Sequence, residues 1–347
     1  MPKVSVVIPT LNRARVLAQT IDRIETQTVS RDVYEVIVVD NSSADDTNFV
    51  LEEKSRQYAN LKSLFQPKPG AAPTRNAGLG KASGEIVLFI DDDIFAEPEL
   101  IEKHLEYHSV YPDASIIGSV VTPWNGRPDP FLRYLRHRGI YNPYTLASGP
   151  MDFSYYHTGN VSTRRSMLQQ AGGFNEEFFI YGMEDIELGY RLQRLGCRMI
   201  HGEKARGVHQ YCPTYEEFIE RCQQAGYSLG KLIDLHPELK KRFVENGRWT
   251  WLLKRFHFLY RFCSYATEWV SRWLARRETQ RGTGPISKSL ELHYYWSVRY
   301  HFFLGYSQYC HHARNGSVLN NVVLFGHRPV SDFAMERVHG GKRSPVP

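Results

Sequence analysis

Glu85–Asp93 reads E-I-V-L-F-I-D-D-D, an apolar run that ends on three carboxylates, and the fold is read outward from it. A continuous apolar stretch of this length is the mark of a strand buried on both faces of a parallel sheet. In an open α/β sheet, ligands bind beyond the carboxyl ends of the strands, so Asp91, Asp92 and Asp93 stand where a ligand is expected. Adjacent carboxylates repel one another unless a cation is present. A hard divalent ion, Mn²⁺ or Mg²⁺, held by one or two carboxylates and diphosphate oxygens, relieves that repulsion. Residues at i and i+2 of an extended segment share a side, which places Asp91 and Asp93 together on the metal and turns Asp92 the other way.

Upstream, Val4–Ile8 is a β-rich run, Arg13–Gln27 has helical apolar spacing, and Glu35–Asp40 is a second strand. Ser43 is a suitable cap for a helix to about Tyr58, with Asp45 and Asp46 in its positive first turn. A helix-like segment over Thr74–Ala82 leads into the decisive strand. Downstream, Pro98 opens a helix over Leu100–His108, Ile116–Thr122 reads as a strand, and 123–157 reads as long loops over a binding cleft. Pattern returns with Asn160–Thr163, helices at Arg165–Ala171 and Asp185–Leu195, and short strands at Cys197–Ile200 and Gly207–Tyr211. Strand-helix-strand repetition predicts an α/β, doubly wound, mostly parallel sheet flanked by helices over residues 1–212. From 213 to 347 the reading is a helical extension: Tyr215–Leu235, Trp249–Arg277 and Ser287–His312, with a loose tail after His327.

Two other strand ends carry polar groups, Pro9–Arg13 (P-T-L-N-R) and Asp40–Ser43 (D-N-S-S). Asp40 can accept from a uracil imide or ribose hydroxyl, and serves equally well as a turn or cap residue. Gly70–Gly80 offers Arg75 to phosphate or to the acidic cluster, but the segment does not match a phosphate-binding P-loop. In Gly182–Arg191 (G-M-E-D-I-E-L-G-Y-R), Glu184 and Asp185 follow an aromatic loop, where partial desolvation suits a carboxylate to general-base work. The alternative reading of this segment is simple N-terminal helix capping by Asp185 and Glu187. His209 follows a short strand and offers a ring nitrogen to the same metal or a structural hydrogen bond.

Taken as a set, V-V-I-P-T-L-N-R, V-V-D-N-S-S, T-R-N-A-G-L, F-I-D-D-D and G-G-F-N-E-E-F…Y-G-M-E-D-I-E-L-G-Y-R-L resemble the family 2 glycosyltransferases of GT-A fold across Lys3–Tyr211. The resemblance implies an inverting transfer of a sugar from a nucleoside diphosphate, usually UDP, to a hydroxyl acceptor in polysaccharide, glycolipid or other glycoconjugate synthesis. It assigns Pro9, Thr10, Asn12 and Asp40 to the nucleoside, Arg75 to the diphosphate side, Asp91 and Asp93 to the metal, and the second residue of Glu184–Asp185 to the base; outside the resemblance, Asp92 is expected to join the donor-binding groups and His209 to be a further metal ligand. The Q-x-x-R-W motif of processive polymerases is missing, which favours transfer of a single sugar. The alternative is a nucleotide-sugar- or membrane-binding assembly partner without catalysis.

Charge divides the chain unevenly. Residues 1–212 hold 23 Lys+Arg against 26 Asp+Glu, and residues 213–347 hold 20 against 11, so the formal +6 resides in the last third. Trp249–Leu274 places Trp249, Leu252, Leu253, Phe256, Leu259, Tyr260, Cys263, Val270 and Leu274 on one helical face and Lys254, Arg261 and Arg272 opposite. Such a helix suits an anionic membrane surface, or packs its apolar stripe on protein. Nucleic acid is not an expected partner, since no binding motif accompanies the charge. No apolar run reaches 18 residues and no signal peptide is read. Five widely spaced cysteines without a C-x-x-C pair read as free thiols, and the expected location is cytoplasmic or peripheral on the inner membrane face.

Overall fold

The computed structural model of the chain describes residues 2–121, 129–137, 147–245, 273, 275–277 and 286–314. Among the described residues nine strands form one sheet: β1 (Val4–Thr10), β2 (Tyr34–Asp40), β3 (Leu61–Phe65), β4 (Ile86–Ile90), β5 (Ile94–Ala96), β6 (Ala114–Val121), β7 (Gly149–Met151), β8 (Asn160–Arg164) and β9 (Arg198–His209). Their order is β3-β2-β1-β4-β8-β6-β9-β5, with β7 on β9. β1, β2, β3, β4, β6 and β9 share one direction, while β8 inserts antiparallel between β4 and β6. The β1–β2 register sets Thr10 opposite Asp40, so two of the polar strand ends lie abreast.

The helices are α1 (Ala14–Ile24), α2 (Thr47–Gln57), α3 (Ala71–Lys81), α4 (Leu100–Val110), α5 (Pro130–His137), α6 (Arg165–Gln170), α7 (Glu184–Arg194), α8 (Tyr215–Leu235) and α9 (Lys288–Arg314). Alternation within the central strands divides the core in two. Val4, Val6, Ile8, Val36, Val38, Leu88 and Ile90 pack with Leu17, Ile21 and Ile24 of α1 and with Leu100 and Ile101 of α4. Val7, Ile37, Val39, Val87 and Phe89 pack on the other face with Ala72, Leu79, Leu168, Leu188 and Leu192. Each such side chain contributes about 1.5–3 kcal/mol on leaving water, and burial on both faces explains why E-I-V-L-F-I has no polar alternation.

A polar seam pins β8 to its neighbours. The β6–β9 register shifts between Gly118 and Ser119, and a Cβ on Gly118 would meet the Asn160 amide nitrogen at 2.3 Å. Asn160 fills that gap, donating to the carbonyls of Ser119 (3.1 Å) and Ala205 (3.0 Å) and pairing through Oδ1 with His104 Nε2 (2.9 Å). His104 Nδ1 and His108 Nε2 both reach Ser162 Oγ at 2.8 Å. Burial pushes the two rings down to about 4 and about 3, so both stay neutral and structural.

The C-terminal helices dock on the sheet layer. Leu229, Leu232 and Ile233 of α8 pack with Phe153, Phe178 and Met183, while Phe218 and, from α9, Leu290 and Tyr294 enclose Phe131, Tyr134 and Leu135 of α5. α8 and α9 touch at the backbone: a Cβ on Gly226 would lie 1.8 Å from the Phe302 carbonyl oxygen, and one on Gly305 1.8 Å from that of Gln223.

Several sequence expectations change here. Ser43 does not cap α2, which begins at Thr47; its Oγ accepts from the Asn12 N–H instead (2.8 Å). The segments expected at Cys197–Ile200 and Gly207–Tyr211 are joined through one strand, β9 (Arg198–His209), whose register with β6 shifts at Gly118/Ser119. Within 123–157, P-F-L-R-Y-L-R-H forms α5, because Phe131, Tyr134 and Leu135 at helical spacing find a partner face on α8 and α9. The edge strand β3 and the short β5 and β7 carry too few buried positions to show in the sequence. The amphipathic segment Trp249–Leu274 and the tail after His327 lie outside the described residues, apart from Trp273. Cys197, Cys212, Cys222 and Cys310 are free thiols. Among the described residues no helix is long and apolar enough to cross a membrane.

Candidate active site

Two loops at the carboxyl end of β1 and β2 are stitched together by uncharged contacts. Asn12 takes a left-handed backbone (φ 53°), which Asn tolerates better than most residues, and its Oδ1 accepts from the Ala44 N–H at 2.7 Å. Asp40 accepts from the Ser43 N–H at 3.0 Å, so it closes its own turn. Asn41 donates to the carbonyls of Gln66 (2.8 Å) and Lys68 (2.7 Å) and accepts from the Gly70 N–H (2.9 Å). One amide side chain thereby fixes the loop that enters α3, and with it the helix carrying Arg75.

Asp91–Asp93 form a tight turn rather than an extended segment, closed by the Ile94 N–H on the Asp91 carbonyl (3.1 Å). The i, i+2 expectation therefore fails. Asp92 is drawn inward, accepting from Thr10 Oγ1 (2.7 Å) and Arg13 Nη1 (2.9 Å), while Thr20 Oγ1 holds its carbonyl (2.7 Å). Asp93 shares the same Arg13 nitrogen and lies 3.3 Å from His209 Nε2. Asp91 turns toward Arg75 Nη2 (3.0 Å) and lies over Gly159, where a Cβ would stand 3.3 Å from its Oδ2. Burial, helped by Asp93 and opposed by Arg13, raises Asp92 to about 6. Burial also works against ionised Asp93, but His209 and Arg13 outweigh it and bring its carboxyl down to about 2. The turn thus holds one firmly ionised carboxylate beside one close to protonation.

Arg75 joins the turn to α7. It is 6% exposed, and its second terminal nitrogen donates to Glu184 Oε1 at 3.0 Å. Both terminal nitrogens of Arg75 are therefore committed to carboxylates, not held out toward a phosphate. Glu184 is raised to about 7, mainly by burial and by neighbouring Asp185, with Arg75 opposing. Asp185 goes the opposite way. Its burial is outweighed by His157, whose Nδ1 lies 3.3 Å from Oδ2, so it stays ionised. Desolvation lowers the His157 ring, but the charges of Asp185, Glu184 and Asp91 carry its pKa above the usual value. The chain reaches α7 through Gly182 (φ 90°) and Met183 (φ 73°), a left-handed pair that turns the two carboxylates inward.

Asp91, Asp92, Asp93, Arg75, Glu184, Asp185 and His209 are thus linked across one sheet edge, with Thr10 alongside; Asn12 and Asp40 form the adjoining loop pair, and Pro9 sits within β1 opposite Val39. Sequence reasoning gave no role to Arg13, although P-T-L-N-R contains it, nor to His157, which lies in a stretch without periodicity. Tyr211 and Arg221 were likewise passed over: Arg221 sits 4.5 Å from the Tyr211 ring and 5.4 Å from the Tyr181 ring. Only tertiary structure brings these four into reach. Among the described residues no three His, Cys, Asp or Glu groups are gathered as a metal-holding cluster; Asp93 and His209 form a pair 3.3 Å apart.

A mixed, mostly parallel sheet with helices on both faces and an acidic turn at the carboxyl edge defines the GT-A class of nucleotide-sugar-binding folds. Residues 5–172 match the model of glycosyl transferase family 2, and residues 144–229 that of the N-terminal domain of galactosyltransferase. Over residues 5–172, a little under half of the chain, it is similar to glycosyl transferase family 2. It is 29% identical over 270 residues to validoxylamine A glucosyltransferase of Streptomyces hygroscopicus subsp. jinggangensis, covering 69% of this chain and 62% of that protein. It is 28% identical over 277 residues to chondroitin synthase of Escherichia coli, covering 70% and 40%. The chain therefore spans about three fifths or less of the length of these relatives. Among solved structures it resembles mannosyltransferase PcManGT from Pyrobaculum calidifontis, solved with GDP-Man and Mn²⁺ (TM-score 0.57, 20% identity, 87% of each chain), and S. aureus TarS 1-349 with UDP-GlcNAc (TM-score 0.52, 19% identity, 92% and 94%). At these identities the likeness is one of fold.

Proposed function

We propose that the chain transfers a single sugar from a nucleoside diphosphate donor, UDP-linked, to an acceptor hydroxyl, with inversion and in one displacement, in polysaccharide, glycolipid or related glycoconjugate synthesis. The observation that carries this reading is the Arg75 bridge, which ties the strand-end turn, the expected donor edge, to the Glu184–Asp185 pair within one cleft. Thr10, Asn12 and Asp40 border the nucleoside side. Asp185 removes the acceptor proton: it is ionised, and His157 holds its Oδ2 and supports that state. As the acceptor oxygen bonds to the sugar C1, the C1–O bond to the diphosphate breaks and its electron pair leaves on the diphosphate. Glu184, held by Arg75, stands beside Asp185 in the same cleft.

A divalent cation, Mn²⁺ or Mg²⁺, would be held by Asp93 and His209, with Asp91 and diphosphate oxygens as the further oxygen donors it needs. When bound it would neutralise charge on the departing diphosphate. Residues 1–212 hold the donor and base groups, and α8 and α9 dock on them. The nine excess positive charges of that last third favour an anionic membrane surface, and vesicle flotation showing no preference for anionic lipid would remove this part of the proposal.

The reading is tested by nucleotide release across a panel of UDP- and GDP-sugars, with and without Mn²⁺ or Mg²⁺. Metal-dependent turnover with one donor is expected. Full activity in Asp93→Ala would remove the metal assignment, and unchanged transfer in Asp185→Asn would remove that residue as the base.

A further inference from the structure

Four basic side chains of the cleft already face carboxylates: Arg13 faces Asp92 and Asp93, Arg75 faces Asp91 and Glu184, His157 faces Asp185, and His209 faces Asp93. Arg221 differs. Its guanidinium lies 4.5 Å from the Tyr211 ring centroid and 5.4 Å from that of Tyr181, and no carboxylate comes within ion-pair distance among the described residues. Glu217, one turn earlier on α8, feels its charge but spends Oε2 on the Tyr211 hydroxyl (2.7 Å) and the Thr214 N–H (2.9 Å).

The two tyrosines locate this cation. Tyr211 stacks edge-on with His209 (6.1 Å) and lies beneath Arg13 (5.7 Å), so one side of the ladder abuts the acidic turn. Tyr181 belongs to the loop that enters α7, is half exposed, and lies within the field of Asp185, Glu184 and Asp91. The face of α8 that bears Arg221 also bears Ala225, whose Cβ would be 3.2 Å from one on Gly182, and Ser228, which donates to the Tyr181 carbonyl at 3.2 Å. Arg221 is thus held by a helix that packs directly on the catalytic loop, between the two acidic groups and without an anion of its own.

We propose that Arg221, clamped between Tyr181 and Tyr211, is a substrate-anion site that receives a phosphate-type oxyanion at the mouth of the cleft. A planar guanidinium fixed by two rings keeps its edge N–H groups for a planar or tetrahedral oxyanion and loses little freedom on binding. The anion comes either from the donor diphosphate or from an anionic group on the acceptor. Only this choice of source rests on the glycosyl-transfer reading; the anion site itself does not.

The test is calorimetric titration of the full chain with Mn²⁺, first with UDP, then with inorganic phosphate added to UDP-saturated protein. Wild type, Arg221→Gln and Arg221→Lys are compared after their melting temperatures have been matched. Loss of about tenfold in UDP affinity in Arg221→Gln, with Arg221→Lys retaining most of it, assigns the donor diphosphate. Unchanged UDP affinity with loss of phosphate binding to the UDP-saturated chain assigns the acceptor side. Equal binding of both probes by wild type and Arg221→Gln overturns the proposal, as does a wild type that binds neither. If wild type turns over no nucleotide sugar yet binds phosphate through Arg221, the transfer reading fails and the anion site stands.

Discussion

The loops after β1 and β2 and the turn after β4 lie at the same edge of one sheet, yet they are held by different forces. Around Asn12, Asp40 and Asn41 the contacts are short hydrogen bonds from side chains to backbone, several of them wholly uncharged, as with the three bonds of Asn41. Around Asp91–Asp93, Glu184 and Asp185 nearly every contact is an ion pair, and neighbouring carboxylates are driven in opposite directions. Dipolar stitching holds its shape whatever the pH. A lattice of alternating charges is stable only at the balance it was built for, so it responds to protons, cations and anionic ligands.

The sharpest way to break the contrast is Arg75→Met, which strands Asp91 and Glu184 beside each other in a partly buried site. A loss of about 3–5 kcal/mol in denaturant unfolding is expected, together with loss of any turnover. Asp185→Asn should instead leave stability and UDP affinity near wild type while transfer, followed by nucleotide release, falls roughly 10²–10⁴-fold. On the dipolar side, Asn41→Ala removes three hydrogen bonds and should cost about 1–3 kcal/mol, unchanged between about pH 5 and 8. The acidic side should behave otherwise. Glu184 is raised to about 7, so its contribution is complete below the ordinary carboxylate range and is lost as pH rises through about 7. Asp93, lowered to about 2, contributes above that range and loses its effect only as pH falls through about 2. Thermal melts of wild type should therefore weaken from mildly acidic to mildly alkaline pH, and Glu184→Gln should flatten that slope. A control outside both regions is the capping box of α8, where Thr214→Ala should cost about 1 kcal/mol.

Much of the frame was legible because E-I-V-L-F-I and its neighbours combine strand length with burial on both faces, a pattern few other structures produce. The carboxylates at the strand ends were legible for the same reason, since sheet direction alone fixes which end receives them. Their individual orientations were not. Whether Asp91–Asp93 continue the strand or turn depends on the Ile94 hydrogen bond and on Thr10 and Arg13, which arrive from another strand. His157 and Arg221 stayed hidden because their roles arise from packing between segments far apart in sequence. α5 was hidden differently: its apolar positions were visible, but in a stretch rich in Pro, Gly, Tyr and Arg they had no partner until α8 and α9 were in place.

The close backbone approaches of Gly226 on α8 to Phe302 of α9, and of Gly305 on α9 to Gln223 of α8, bear on how the molecule assembles. The helices are separated by a long connection, so their contact is non-local and its loop-closure entropy must be met before the crossing gives any return. Until then α8 is half covered, and the loop it buttresses, with Tyr181 and the entry to α7, has no backing. In folding terms the charged edge of the sheet is finished from outside by α9, so slow closure of this pair should set when a newly made chain first becomes competent to bind its ligand.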